Sequence, residues 1–227
     1  MTNMNEKKMD FKQSIDFVRI LIYAAIAGLG AGFLGTLFTF SVNYVTQLRV
    51  NHPWLIYFLP IGGIVIVLLY KLAKYKDAGT DLVINSIHSE PHLPVRIGPL
   101  IFISSVITHL FGGSAGREGA ALQIGGSVGS FISKTLRLKE EDKKTLIMAG
   151  MSGCFSALFG TPLTAAILPL EVVHVGYMQY AALLPCVIAS LVGHCVAIAM
   201  NLVEPMHHIG TVPNLDAITT IAVIGLS

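Results

Sequence analysis

Long apolar stretches separated by short polar ones run through most of this 227-residue chain. Residues 17–45, 54–72 and 180–202 each approach or exceed the ~20 residues that an α-helix needs to cross a bilayer. The first stretch is longer than the hydrocarbon requires, which favours a tilted helix. It also carries small residues at helical spacing, which predict a face where other helices pack closely: Gly28, Gly30, Gly32 and Gly35.

Shorter apolar segments lie between the long ones and are separated by polar, glycine-containing or proline-containing breaks. They are residues 82–88, 97–111, 120–132, 146–159 and 162–173. Most are too short to cross a bilayer, and Pro162 stands where a helix favours proline, just inside its start. Such segments are typical of membrane proteins whose binding site is built from broken helices. The pattern predicts an all-α, polytopic membrane protein.

The composition supports the same class. Hydrophobic residues make up 53% of the chain and charged residues 12%, and the mean hydropathy is +0.69. A soluble domain has about 25% charged residues. The net charge of +2 gives no reason to expect a nucleic-acid partner, so the lipid bilayer is the expected surrounding.

Lysine and arginine cluster before the first long stretch and after the second. This bias predicts a cytoplasmic N-terminus, and the basic segment 134–144 reads as another cytoplasmic loop. Residues 1–16 are polar and basic without a signal-peptide pattern, because the apolar run that follows is too long and lacks a convincing cleavage site. The chain therefore divides into a cytoplasmic segment (1–16), a membrane unit (17–213) and the beginning of another apolar run (214–227).

Neither a metal nor a cofactor is expected. Cys154, Cys186 and Cys195 lie in apolar surroundings without ligand spacing and read as buried thiols, and the histidines show no metal-type spacing. Residues 112–116 match G-x-S-x-G, the nucleophile elbow of serine hydrolases. That motif requires a preceding strand, whereas an apolar membrane segment precedes it here, so an enzyme is not expected.

Arg117 and Glu118 are adjacent charges inside a cluster of small residues that the flanking apolar segments predict to lie at membrane depth. A charge in hydrocarbon costs at least ~2.5 kcal/mol, which makes such residues functional candidates. A helix that starts immediately after Glu118 would expose N–H groups of Gly116, Arg117, Gly119 and Ala120 to an anion. The Glu118 carboxylate would compete for those donors until it accepts a proton. A buried Arg117–Glu118 ion pair is the alternative, but adjacent side chains diverge on a helix.

The sequence Gly-Arg-Glu-Gly at 116–119, followed by Gln123-Ile124-Gly125, resembles the gating-glutamate motif of the CLC chloride channels and proton-coupled antiporters. A second match follows in order, at 149–153, 159–166 and Glu171. The resemblance implies the first half of the CLC inverted-repeat fold, with residues 214–227 starting a second repeat. It also implies transport of a small anion, a gating and proton-transfer role for Glu118, and a homodimer through residues 162–200. Arg117 would pair with an acid such as Glu171 or anchor a helix end.

Three departures from the chloride-type pattern resemble the fluoride/proton antiporter branch. Ala78 and Gly79, which the resemblance implies are anion-binding, stand where chloride-selective members have a serine-containing loop that contacts the anion, and Asp81 replaces a proline there. Ala120 also replaces a proline. Glu171 is followed by Val172, where many chloride antiporters carry a second, proton-relaying glutamate; Glu171 itself is either a secondary proton path or a solvated residue.

The function that this resemblance implies is fluoride/proton antiport in a bacterial plasma membrane. A chloride channel or chloride/proton antiporter is the first alternative, and passive channels also lack the second glutamate. The second alternative is a fragment that folds or dimerises without transporting alone. In the family, residues of the second half complete the ion site, and its helices would close against small-residue surfaces such as Gly28–Gly35 and Ala165-Ala166.

Overall fold

The protein is a bundle of α-helices. A computed structural model describes residues 2–73, 94–173 and 180–201, with side chains from residue 15 onward. Within those ranges there are seven α-helices and no strand, which confirms the predicted all-α class. The helices are α1 (Thr2–Asn51), α2 (Leu59–Leu72), α3 (Ile97–Leu110), α4 (Arg117–Thr135), α5 (Glu140–Phe159), α6 (Pro162–Val173) and α7 (Leu183–Ala199).

Three helical stretches in this part of the chain are long and apolar enough to cross a membrane. They are Ile15–Asn51, Pro53–Leu72 and Tyr180–Ala199, each close to a predicted span. The last two begin with short 3₁₀ turns, Pro53–Phe58 and Tyr180–Ala182, that lead into α2 and α7. The predicted spans are thus confirmed, apart from shifts of a few residues at their ends.

Two helices are longer than the sequence pattern predicted. α4 begins at Arg117 rather than after Glu118 and has 19 residues, and α5 begins at Glu140 and has 20. At 1.5 Å per residue each measures about 28–30 Å, so both helices extend beyond the apolar segments 120–132 and 146–159 that predicted them. The loop predicted at 134–144 comprises only residues 136–139 in the structure. Glu140, Glu141 and Asp142 belong to the first turn of α5, where acidic side chains are favourable.

α5 lies at the centre of the bundle, where α1, α4, α6 and α7 all pack against it. Its residues 145–158 are buried without interruption. α4 packs antiparallel to it at very short range: a Cβ on Gly125 would meet the Gly150 carbonyl, and a Cβ on Gly129 would meet the Leu146 carbonyl. The two backbones are therefore in direct contact.

The glycine face of α1 packs in the same way against α7. A Cβ on Gly28 would lie 2.5 Å from the Ala189 carbonyl oxygen, and one on Gly32 would lie 2.7 Å from the Gly193 Cα. This confirms the predicted packing face. The expectation that it needs helices of a second half was wrong, since α7 of the same chain covers it. Ala165 and Ala166 are likewise buried inside the bundle.

The thiols follow the sequence expectation in two cases of three. Cys154 and Cys186 are buried in the core, but Cys195 is exposed on α7. The prediction for Cys195 was wrong because an apolar neighbourhood in a membrane helix is equally typical of a face that turns outward to lipid.

Candidate functional site

The chain leaves regular structure between α3 and α4, at the glycine-rich segment. The Gly113 N–H donates to the Thr108 carbonyl (2.9 Å), and Gly112 has φ +83°, a conformation that residues other than glycine rarely adopt. Residues 113–116 then form no helix, and Gly116 at the N-cap of α4 is extended (φ −64°, ψ 131°). The predicted non-helical approach is confirmed.

Residues 112–116 do not form a nucleophile elbow. The element before them is helix α3, whereas the elbow needs a strand. The match to G-x-S-x-G is thus a consequence of small residues in a turn.

No side-chain hydrogen bond caps the N-terminus of α4, because Gly116 at the N-cap has no side chain. In a helix that begins at Arg117, the N–H groups that lack an acceptor within the helix are those of Gly116, Arg117, Glu118 and Gly119. The N–H of Ala120 enters the helix's own bonding pattern, and Ala120 is buried. The earlier helix start therefore moves the expected donor set one residue towards the N-terminus, away from Ala120.

The two adjacent charges point to different surroundings. Arg117 is half-buried and its Nη2 donates to Asn43 Oδ1 of α1 at 3.5 Å, which ties the start of α4 to α1. Glu118 lies in the first turn of the helix and is exposed. Consecutive helical residues are about 100° apart, which accounts for this divergence.

The other predicted site residues lie elsewhere. Glu171 is exposed in the last turn of α6, and its proton-path role stays a prediction. Ala78, Gly79 and Asp81 lie outside the described residues. Within the described ranges, no three histidine, cysteine, aspartate or glutamate side chains are grouped so that they could hold a metal ion.

Contacts near the two ends of the membrane-spanning part of α1, Ile15–Asn51, show where Glu118 lies along the bundle. Near one end, Arg19 pairs with Asp142 in the first turn of α5 (Nη2–Oδ2 3.9 Å). Near the other end, Asn43 contacts Arg117. These positions are 24 residues apart, or about 36 Å along a helix. Glu118 and the polar turn before α5 are therefore at opposite ends of the molecule.

Sequence reasoning missed polar residues of α1 that lie beside this segment. Asn43, Thr46 and Arg49 are spaced three apart, which places them on one face of the helix. Three polar residues on one face near the end of an apolar span were a readable signal.

A cavity of about 620 Å³ also lies between α1, α3 and α4, further along the bundle. Its lining is almost entirely apolar, with Phe33, Phe102 and Phe131 among its side chains. The hydroxyl of Ser127 in this lining already donates to the Gln123 carbonyl (2.7 Å), and apolar side chains offer an anion no donor, so the candidate site is the start of α4 rather than this cavity.

Comparison with protein families settles the membership of the chain. The family model described as "Voltage gated chloride channel" matches residues 61–227. The chain belongs to this CLC family. The match covers the glycine-rich segment, α4, α5 and α6.

Bacterial proteins are among the similar curated proteins. A "Chloride/fluoride channel protein" of Pseudomonas syringae pv. tomato is 40% identical over 206 residues, covering 90% of this chain and 46% of that protein. The "H(+)/Cl(-) exchange transporter ClcA" of Vibrio parahaemolyticus is 29% identical over 170 residues, covering 67% of this chain and 36% of that protein. The chain thus spans about half the length, or less, of the curated relatives it matches.

Solved structures show the same fold. A crystal structure described as a CLC-type fluoride/proton antiporter aligns with a TM-score of 0.84 and 31% identity, covering 93% of this chain and 55% of that one. A slow cyanobacterial Cl⁻/H⁺ antiporter aligns with a TM-score of 0.72 at 19% identity, over 92% of this chain and 53% of that one.

Proposed function

We propose that this chain forms the Glu118-bearing half of a CLC transporter that exchanges fluoride for protons. The observation that carries the proposal is the start of α4: a lone carboxylate lies in the first turn of a helix whose N-terminus no side chain caps. A relative named as a chloride/fluoride channel and a solved fluoride/proton antiporter, at 40% and 31% identity, support fluoride as the anion.

The proposed coupling follows from competition for one set of donors. A helix N-terminus carries about half a positive charge, which attracts an anion or the Glu118 carboxylate alike. While ionised, Glu118 occupies the donors of residues 116–119; once protonated, it no longer carries the charge that holds it there. An anion then enters, and its passage is linked to the proton that Glu118 took up.

The orientation adds a direction. If the N-terminal end of α1 is cytoplasmic, as the lysine and arginine bias predicts, Glu118 lies towards the opposite side of a bacterial plasma membrane. Protons would then reach Glu118 from outside, and Glu171 of α6 is a candidate for a secondary path.

Glu118→Gln is the test of the gate. In the protein extended to its relatives' full length and reconstituted in liposomes, we expect the variant to lose proton uptake driven by a fluoride gradient, because an amide cannot exchange a proton. Fluoride flux without protons would persist. Glu141→Gln is the matched control, since Glu141 also lies in the first turn of a helix, at the opposite end of the bundle. Wild-type proton pumping by the Glu118→Gln protein would show that Glu118 is not the gate.

Selectivity is tested separately, with fluoride and chloride electrodes on the same liposomes. We expect faster fluoride efflux, since a small and strongly hydrated ion needs well-aimed donors to replace its water. Equal or faster chloride efflux would leave the family membership intact and favour the second candidate, chloride/proton exchange. The similarity to the ClcA exchangers, at 29% identity for the Vibrio parahaemolyticus protein, is the observation that favours that candidate.

Association of two copies through residues 162–200 belongs to the same proposal. α6 and α7 expose large apolar side chains, among them Leu163, Ile167 and Leu191. Such a face suits either lipid or a second copy, so the family resemblance remains the support for the homodimer.

A further inference from the structure

We propose that Thr46 and Arg49 of α1, together with Arg117 of α4, form an anion-capture site beside the Gly112–Arg117 segment. A small anion would bind there before it reaches the donors at the start of α4. For the identity of the ion, this proposal depends on the function proposed above. The binding site itself depends on the contacts of α1.

The polar stripe of α1, defined as Asn43, Thr46 and Arg49, follows the glycine-rich segment from end to end. Asn43 accepts a hydrogen bond from Arg117, at one end of that segment. Gly112 lies at the other end of the glycine-rich segment, and a Cβ added to it would be 3.4 Å from both Cδ and Nη1 of Arg49. Thr46 lies one turn from each on the same face, so it faces the residues between Gly112 and Arg117.

Two polar atoms of this stripe are buried without a hydrogen-bond partner in the described part of the chain. They are Thr46 Oγ1 and Arg49 Nε. An unpaired buried donor is unfavourable, and more so on a charged group, so such atoms need a ligand or water. Both can donate to an anion: the hydroxyl through its proton, and the guanidinium through N–H groups that stay charged at any physiological pH.

The surroundings strengthen the attraction. Apolar side chains lie against the same turn: Ile56 is 3.3 Å from a Cβ built on Gly112, and Leu59 is 3.3 Å from one built on Gly113. A lower local polarizability makes a charge interaction stronger than in water. The charge of Arg117 adds to that of Arg49, and it borders both this stripe and the first turn of α4.

In this arrangement α1 would capture the anion and α4 would couple its movement to protons. Arg49 and Thr46 would raise the local anion concentration, whereas Glu118 would couple anion movement to protons. A defect in capture therefore changes the concentration dependence of transport, and a defect in the gate changes the number of protons per anion.

The experiment measures initial fluoride and chloride flux against concentration in liposomes that contain the full-length protein. We expect Arg49→Gln to raise the apparent KM about tenfold, as for a lost charged donor, and Thr46→Val to raise it about threefold. Maximal rate and proton stoichiometry should stay at wild-type values. Arg49→Lys keeps the charge and should recover part of the affinity.

Arg19→Gln is the charge-matched control, because it removes an arginine from the same helix at the other end of the bundle. Its KM should equal that of the wild type. An unchanged KM for both Arg49→Gln and Thr46→Val, in proteins that elute as the wild type does, would overturn the capture site. A changed proton stoichiometry at an unchanged KM would also overturn it, since those residues would then act on the gate.

A binding measurement separates this inference from the proposed function. Fluoride or chloride should raise the melting temperature of the purified wild-type protein, and the rise should be smaller in Arg49→Gln and Thr46→Val. If the anion raises the melting temperature as described but liposomes show no flux, the transport proposal is wrong and the binding site stands. If liposomes show flux but the melting-temperature rise is the same in the wild type, Arg49→Gln and Thr46→Val, the binding site is wrong and the transport proposal stands.

Discussion

The absence of a Cβ on particular glycines allows these helices to approach each other closely. Gly150 of α5 contacts the backbone of α4, and a Cβ there would meet the Gly125 carbonyl. Gly63 of α2 is also helical, but nothing lies within 4 Å of the position that its Cβ would occupy. The same residue type is therefore required by packing at one site and free at the other.

We predict that Gly150→Ala destabilises the protein and Gly63→Ala does not. The added methyl group at Gly150 can be accommodated only by separating α4 from α5, and overpacking of this kind costs about 1–3 kcal/mol. At Gly63 the change removes backbone freedom at no steric cost, which is neutral or stabilising by up to ~1 kcal/mol. Thermal unfolding in detergent, followed by size-exclusion fluorescence, compares the two. Equal melting temperatures would show that α4 and α5 are not in backbone contact.

At the scale of the helix, the apolar segments predicted where each helix lies along the chain more accurately than the residues at which it begins and ends. α6 has the predicted bounds, because proline at its start and glycine before it are local signals: Gly160 is left-handed (φ 67°) and closes α5. α4 and α5 were predicted too short, because lysines and glutamates at 134–144 read as a loop. Charged side chains at the end of a membrane helix reach water, so charge there does not end the helix.

The candidate site was predictable in one part and not in the other. The acid, the glycine-rich approach and, to within two residues, the helix start follow from residues 112–119 alone. The contribution of Asn43, Thr46 and Arg49 depends on which face of α1 meets that segment, a distance of about 70 residues along the chain. Periodicity identifies a polar face, but only tertiary packing shows its neighbour. The predicted roles of Ala78 and Gly79 stay predictions.

At the scale of the whole molecule, the bundle has two chemically different ends. One carries the turn 136–139 and the pairs Arg19–Asp142 and Lys143–Glu140. The other carries the glycine-rich segment, the start of α4 and the polar stripe of α1. Between them, α5 is enclosed by its neighbours, and the small-residue surfaces are already closed within this chain. The described helices therefore have a packed core of their own.

This division leads to a prediction for the 227 residues taken alone. We expect them to insert in a membrane and purify as a monodisperse helical protein, because their core is closed. We expect no selective anion flux, because the donors at 116–119 need facing partners to complete an ion site, and the chain corresponds to 46% of a relative's length. Liposomes with the 227-residue chain, with that chain plus a matching second half, and with no protein are compared for fluoride-driven proton uptake.

Only the liposomes with both halves should take up protons, and Glu118→Gln should abolish that uptake. A proton ionophore added at the end of each trace verifies that the vesicles are intact. Aggregation of the 227-residue chain on purification would contradict the closed core. Robust coupled flux from that chain alone, lost in Glu118→Gln, would contradict the need for facing partners from elsewhere, and would mean that two copies of these helices complete the pathway between them.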